Sequence, residues 1–342
     1  MRPLIARVLG VVFYCGLALC SAAAARKPLE IYFVDVEGGQ ATLIVAPSGE
    51  SLLIDTGWPG FNGRDADRIV SVANSAGLKQ IDYVLITHYH RDHVGGAPQL
   101  AERIRVGTFL DHGPNREDQG ETPARFADYE KLLTGANRRV MKPGDKLKLK
   151  DATLTVLTAD GEHIGKALHG AGQPNPLCAF EKDWPVDSTE NARSLGTLLT
   201  YGKFRFIDLG DLTKKKEVEL ACPDNLVGTV DVYLTTHHGL DQSNARALVH
   251  ALRPRVAIMN NGARKGGIPE AWQTVHDSPG LEDMWQLHYA VQSDAAHNVA
   301  ADHIANSEES CQGAYLKLSA QPDGSFTVFN PRNQASKTYA AR

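Results

Sequence analysis

Between Thr87 and His93 the chain reads Thr-His-Tyr-His-Arg-Asp-His, so His88, His90, Asp92 and His93 place three imidazoles and a carboxylate directly behind a strand-like apolar run. Imidazole nitrogen and carboxylate oxygen together suit borderline divalent ions such as Zn²⁺, and a short loop leaving a strand end can hold several ligands in fixed geometry. His88 and His90, two positions apart, are expected to point the same way and share one ion. Asp92 and His93, one step further round the turn, are left free to hold a second. No Ser/His/Asp or Cys/His nucleophile constellation, Gly-Lys-[Ser/Thr] phosphate loop or dinucleotide fingerprint competes with this cluster.

The elements that must position these side chains read as two copies of one plan. The first runs Thr42-Leu43-Ile44-Val45, a Pro47-Ser48-Gly49 turn, Ser51 to Gly57, a helical stretch, and Ile81 to His88. The second runs Thr197 to Thr200, a Tyr201-Gly202-Lys203 turn, Phe204 to Asp211, another helical stretch, and Val230 to His237. Each copy is a hairpin, an acidic Gly turn, a helix, and a buried strand ending in Thr-His. Two such halves packed sheet against sheet would bring Asp55, His88 to His93, Asp211 and His237 to one edge.

Further elements follow from the same patterning. Helices are expected over Asp65 to Ala76, Val94 to Arg103, Ala124 to Leu133, Ala245 to Leu252, Glu270 to Val275 and Leu281 to Val291. Strands are expected at Arg105 to Asp111, within Leu147 to Thr158, and at Val256 to Asn260, Ala314 to Leu318 and Ser325 to Phe329. Ala159 to Asn191, rich in Gly, Pro and Asn, shows no period and reads as a lid or insertion.

The 342 residues with 42% hydrophobic content allow a well-buried core. Arg2 and Arg7, an apolar run from Val8 to Cys20 and the small residues Ser21 to Ala25 read as a secretory signal over residues 1–25, leaving a single domain at 26–342. The mature chain is expected to be periplasmic or secreted, with no integral membrane association after cleavage. It would carry 34 Lys+Arg against 40 Asp+Glu, a net charge of −6. That balance argues against a stable nucleic-acid complex, which needs a basic face, but leaves room for a small molecule or short phosphodiester held mainly by metal. Cys178, Cys222 and Cys311 remain after cleavage; an oxidising compartment favours one disulfide, with Cys178 to Cys222 the expected pair and free buried thiols the alternative.

The His88/His90/Asp92/His93 motif, with Asp55 in Ile-Asp-Thr-Gly, Gly210-Asp211 and His237, resembles the metallo-β-lactamase fold superfamily across the mature chain. More narrowly, Phe33 to Ala41, Asn191-Ala192-Arg193-Ser194-Leu195 and His237-His238-Gly239 look like the extracellular hydrolase domain of ComEC and its free-standing relatives. The resemblance implies an α/β fold, a four-layer αββα sandwich with an internal two-fold repeat, carrying one or two metal ions. It implies His88 and His90 on the first ion, Asp92 and His93 on the second, Asp211 as the bridging carboxylate, and His237 as the last ligand of the second ion, with His238 the alternative. The third histidine that most members supply to the first ion is absent, its region reading Asn191 to Ser194. Fewer nitrogen donors could favour Mn²⁺ over Zn²⁺ there. His112, His163 or His169 could substitute, though each reads better as a substrate contact or loop histidine. Asp55 reads as an orienting hydrogen-bond partner behind the loop, and Asp208 as a weaker candidate for the bridge than Asp211.

The expected chemistry is hydrolysis by a metal-activated hydroxide, with Asp92 and Asp211 as the catalytic carboxylates and Asn191, Ser194, His238 and His112 as auxiliary or substrate contacts. A phosphodiester or phosphoester is the expected substrate; a carboxylic ester, lactone or β-lactam is the alternative. A degenerate, non-catalytic binding module is the competing class, and the missing histidine is its support. Lys214 to Lys216 read as a solvated helix face. Arg264, Lys265 and Gly266-Gly267 read either as a plain turn or as an anion site.

Overall fold

The two hairpins show why these residues form strands. In the computed structural model, which describes residues 27–342, Thr42–Val45 pairs antiparallel with Ser51–Ile54, Leu43 facing Leu53 and Ile44 facing Leu52. Gly196–Tyr201 pairs with Phe204–Asp208 in the same manner, Leu198 facing Ile207. Each hairpin then takes a parallel neighbour through a helical crossover, as parallel pairing demands. Ser51–Ile54 gains Gln80–Leu85 after the helix Arg64–Ser75. Phe204–Asp208 gains Val232–Leu234 after the helix Lys214–Ala221. The repeat expected from the sequence is thus present as two hairpin-helix-strand units. The predicted signal, residues 1–25, lies outside the described residues.

Each unit sits within a nine-stranded sheet. The first sheet extends outward from the strand Leu29–Phe33 to the C-terminal strands Leu316–Ala320, Phe326–Asn330 and Ala335–Tyr339. The second adds Val256–Met259, Asp283–His288 and Ile304–Asn306 in parallel beyond Val232–Leu234. Between the sheets lies one apolar core, where Phe33 meets Phe206 edge to face at 5.9 Å and Trp285, Leu154 and Val328 are fully buried. On the outer face of the first sheet, Ile69, Ala73, Leu100 and Tyr129 pack from helices. On the outer face of the second, Leu220, Leu248, Leu252 and Val275 do the same. The result is the αββα sandwich. Among the described residues no helix is long and apolar enough to cross a membrane.

Three expectations need correction. Leu281 to Val291 is not helical: Asp283–His288 is a strand buried between parallel neighbours. A strand covered on both faces shows no alternation, so its apolar positions mimic a short buried helix. Val94 to Arg103 is two short helices, Arg91–Val94 and Ala97–Ala101. The break falls at Gly95-Gly96, where a Cβ on Gly96 would lie 2.1 Å from the Thr56 carbonyl oxygen, so the close approach excludes any side chain. The stretch from Ala159 to Asn191 is not structureless. Glu162–His163 extends the second sheet, Gln173–Pro174 pairs with Asp224–Asn225, and Cys178 is disulfide-bonded to Cys222.

That disulfide closes a loop across 44 positions. Chain-entropy reasoning assigns such a link roughly 3–4 kcal/mol. Replacing both cysteines by serine is expected to lower the urea midpoint correspondingly while leaving bound metal unchanged; an unchanged midpoint would show that the insertion contributes nothing to cooperative unfolding.

Glu217, on the helix Lys214–Ala221, is fully buried and accepts from Ala245 N at 2.6 Å, anchoring the start of the next helix, Arg246–Leu252. Burial pushes its carboxyl from the ordinary 4.5 up to about 7. A raised folded-state value means the protonated form stabilises the fold: the contribution is complete below about 4.5 and is lost as pH rises through about 7. Between those limits the loss is on the order of 1–3 kcal/mol. The melting temperature of Glu217→Gln, relative to the native chain, is therefore expected to rise from pH 5 to pH 8, as followed by circular dichroism.

Candidate metal centre

Strand pairing sets the centre's back wall. Asp55 leaves Ser51–Ile54 and the histidine loop leaves its parallel neighbour Gln80–Leu85. Asp55 is fully buried at φ 61° and accepts from Thr87 N and Thr87 Oγ1, each at 2.7 Å. Its Oδ2 also lies 2.7 Å from His93 Nδ1. A carboxylate on one ring nitrogen fixes the tautomer and turns the other nitrogen inward. His88 is held comparably, Nδ1 lying 3.0 Å from Thr87 Oγ1.

The second half supplies the opposite wall. Gly210, at φ 56°, turns the chain sharply between Asp208 and Asp211, and a Cβ there would meet Thr87 Cβ at 2.9 Å. Asp208 holds this turn by accepting from Gly210 N at 3.0 Å and from Gln40 Nε2 at 2.7 Å, while Asp211 N donates to Ser194 Oγ at 3.2 Å. His237 N donates to Gly210 O at 3.0 Å, linking the turn Thr236–Gly239 to the same point. His237 and His238 both sit left-handed, at φ 56° and 54°. Each such residue costs on the order of 1–2 kcal/mol. The neighbouring bonds Thr236 N to Tyr233 Oη and Asn244 Nδ2 to Thr236 O, at 3.1 and 3.0 Å, hold the turn against that cost.

The imidazoles and acids of both halves converge. Asp92, His93, Asp211 and His238, all buried, offer ligand atoms that lie within 4.8 Å of one another. His238 Nε2 is 3.3 Å from Asp92 Oδ2, 3.4 Å from Asp211 Oδ1 and 3.3 Å from His93 Nε2. His93 Nε2 and His237 Nε2 each lie 3.2 Å from Asp211 Oδ2. His88 Nε2 lies 3.9 Å from the same oxygen and is buried with no hydrogen-bond partner. The His90 ring stands 4.7 Å from that of His88, with Nε2 turned away to Glu117 Oε2 at 2.9 Å. Of the six residues expected from the sequence, Asp92, His93 and Asp211 form the four-donor group with His238, while His88 and His237 approach Asp211 Oδ2 from outside it and His90 stands beside His88.

The electrostatics describe a site built for cations. Burial alone would raise the carboxyls of Asp92 and Asp211, yet Lys265 and His93 hold Asp92, and His237, His93 and His238 hold Asp211, well below the usual carboxylate range. Burial opposes protonation of His93, but Asp211, Asp92 and Asp55 outweigh it and push the imidazole well above its ordinary value. His88 goes the other way, lowered well below its ordinary value by burial and by the neighbouring His93 and His90. Protons and the Lys265 ammonium therefore balance two buried carboxylates. A divalent ion would do the same work while releasing those protons. The orphaned His88 Nε2 and the mixed imidazole-carboxylate donors fit such an ion.

The remaining candidates divide. Ser194 Oγ lies 3.5 Å from His88 Nδ1, so it ties that ring to Asp211 in the segment where the third histidine is missing. Asn191 has a buried, unpartnered Oδ1. His112 Nε2 binds Glu190 Oε2 at 2.9 Å and is not part of the four-donor group. His163 bonds the Ile164 carbonyl, and His169 is exposed. Lys215 and Lys216 pair with Asp183 and Glu219, and Lys214 lies over Trp184. Of the Gly-rich turn, Arg264 pairs with Glu309, whereas Lys265 Nζ contacts Asp92 Oδ2 and lies 5.0 Å over the Trp58 ring. Glu117, Glu190 and Ser243 were not singled out by the sequence; lone acids and a serine in loops have no spacing to mark them.

Residues 34–176 match the family model of the metallo-beta-lactamase superfamily. The chain is similar to ComE operon protein 3 of Bacillus subtilis, 25% identical over 249 residues, which cover 68% of this chain and 28% of that protein. It is also similar to Recombination protein 2 of Haemophilus influenzae, 27% identical over 257 residues, covering 74% of this chain and 27% of that protein. The match spans little more than a quarter of either relative. Among solved structures, the metallo-beta-lactamase fold protein YhfI of Bacillus subtilis aligns over 76% of this chain and 96% of its own, at 13% identity and a TM-score of 0.46.

Proposed function

We propose that this protein is an exported, periplasmic or secreted, metal-dependent hydrolase acting on a small or short phosphodiester or phosphoester, with Zn²⁺ or Mn²⁺ as its ion. The observation that carries this reading is the buried group of Asp92, His93, Asp211 and His238, with His88, His90 and His237 around it. Divalent ions bound there would acidify a water and draw charge from the scissile ester.

The chain's own residues supply the rest. Asp211 presents Oδ1 to His238 and Oδ2 to His93 and His237, so one carboxylate spans the centre. Asp92, buried and ionised, is the carboxylate placed to steer or accept a proton from an attacking water. Lys265, partly exposed, is the cation in contact with Asp92. Once ions balance Asp92, its ammonium is free to hold an anionic oxygen of the substrate. A cavity of about 470 Å³ is edged by Asn191, Thr213, Lys214 and Trp184, the first three of them within three positions of Ser194 or Asp211, and its size suits a short substrate.

The test is turnover by protein reconstituted with Zn²⁺ or Mn²⁺ on bis(p-nitrophenyl) phosphate, nitrocefin and a simple lactone. Metal-dependent release from the phosphodiester is expected. Hydrolysis of nitrocefin or lactone alone would move the assignment to carbonyl chemistry, and failure to bind any divalent ion would remove the hydrolase reading altogether.

A further inference from the structure

Resting on the metal-dependent reading above, we propose that the adjacent histidines of the Thr236–Gly239 turn serve different ions: His238 completes one with Asp92, His93 and Asp211, and His237 supplies the other, with His88 and His90, the imidazole missing from Asn191 to Ser194.

Four observations lead there. First, the four-donor group is complete with His238, and His237 stands outside it. Second, His237 Nε2 still faces Asp211, at 3.2 Å from Oδ2, the oxygen that His88 Nε2 approaches at 3.9 Å, whereas His238 approaches Oδ1. The carboxylate thus offers His237 and His238 different oxygens, with His93 Nε2 sharing Oδ2 at 3.2 Å. Third, the ring nitrogens of His237, His88 and His90 not facing the centre are engaged, whereas His238 Nδ1 is buried without a partner. His237 Nδ1 lies 3.2 Å from Ser243 Oγ, His88 Nδ1 lies 3.0 Å from Thr87 Oγ1, and His90 Nε2 lies 2.9 Å from Glu117 Oε2. Each leaves one nitrogen free, and that of His88 is buried without any partner. Fourth, the segment where the third histidine is customary offers no imidazole: Ser194 Oγ already accepts from Asp211 N, and Asn191 brings only a buried, unpartnered amide oxygen.

The left-handed conformation of both residues is what makes the division possible. Neighbours in a strand point to opposite faces, and neighbours in a helix diverge by about 100°. Two successive left-handed residues, at φ 56° and 54°, send His237 and His238 to the same carboxylate from different sides, their ring centroids 6.1 Å apart. A single-ligand role for the pair would need only one of them at the centre.

The experiment is calorimetric titration of the chelator-treated full chain with Zn²⁺, with Co²⁺ absorption in the visible as a second readout of donor number. The native chain should bind two ions. His237→Asn should bind one tightly and the other at least about 10-fold more weakly, with a weaker Co²⁺ band. Combining His237→Asn with His88→Ala should still leave one tight ion, because both residues act on the same one; combining it with His238→Asn should leave none. Where His237→Asn melts early by circular dichroism, Ser243→Ala, which keeps the ring but frees it, should weaken the same ion by about 10–100-fold. Two ions bound with native affinity by both His237→Asn and Ser243→Ala, or loss of both ions in the His88→Ala pair, would overturn the assignment while the hydrolase reading stands. A native chain that binds only one ion also overturns it. A native chain that binds none overturns both.

Discussion

Asp211→Asn is expected to lower kcat/KM on a phosphodiester by about 10³-fold or more, a loss of roughly 4 kcal/mol of transition-state stabilisation. The substitution keeps shape and the backbone bond from Asp211 N to Ser194 Oγ, so the turn at Gly210 should survive. What it removes is the single negative charge that three imidazoles, of His93, His237 and His238, all face within 3.4 Å. The neighbouring acid on the same turn cannot take over. Asp208, three positions earlier, is spent on Gln40 and Gly210, and burial raises its carboxyl to about 6. Metal content should fall along with activity, which a chelator-competition assay would read. A variant that keeps both its metal and its activity would show that Asp211 is scaffold only, and would return Asp92 to the centre of the mechanism.

How much of this was legible beforehand follows from which signals are local. The loop His88 to His93 could be read because its ligands are crowded into one turn behind an apolar strand, and Asp55 and Asp211 because each closes a hairpin that the sequence repeats. The sandwich followed from pairing those copies. What could not be read depends on backbone torsion or distant contacts. Nothing in His237-His238-Gly239 shows that both histidines turn left-handed, and it is in that turn that His238 reaches Asp92. Glu117 reaches His90 from a loop 27 positions away, and Lys265 reaches Asp92 across 173. Asp283–His288 was misread for a related reason, since burial on both faces erases the alternation by which a strand announces itself. The long insertion draws its order from the Cys178–Cys222 disulfide, which was expected, and from a two-residue pairing with Asp224–Asn225, which leaves no period in the sequence.

Asp55 presents the sharpest case of a residue whose work is done at one remove, and its substitution should be the second most costly. It is fully buried, and its three bonds fix the start of the metal loop, through Thr87, and its end, through His93. Asp55→Ala would leave a buried backbone donor, a hydroxyl and an imidazole without their acceptor, and would also place alanine at φ 61°. Breaking such a buried charged network costs roughly 3–5 kcal/mol, and the left-handed position adds on the order of 1 kcal/mol. Asp55→Asn separates the two effects, because Asn tolerates that conformation and keeps one acceptor oxygen. The urea midpoint, measured in chelator, should therefore order native, then Asn, then Ala. Metal affinity should fall by about 10–100-fold in Asn, because His93 loses the carboxylate that fixes its tautomer and raises its basicity. If Asp55→Asn weakened the fold yet bound metal as tightly as the native chain, Asp55 would be a structural tie alone, and the orientation of His93 would have to come from packing against His88, whose ring lies 4.1 Å away.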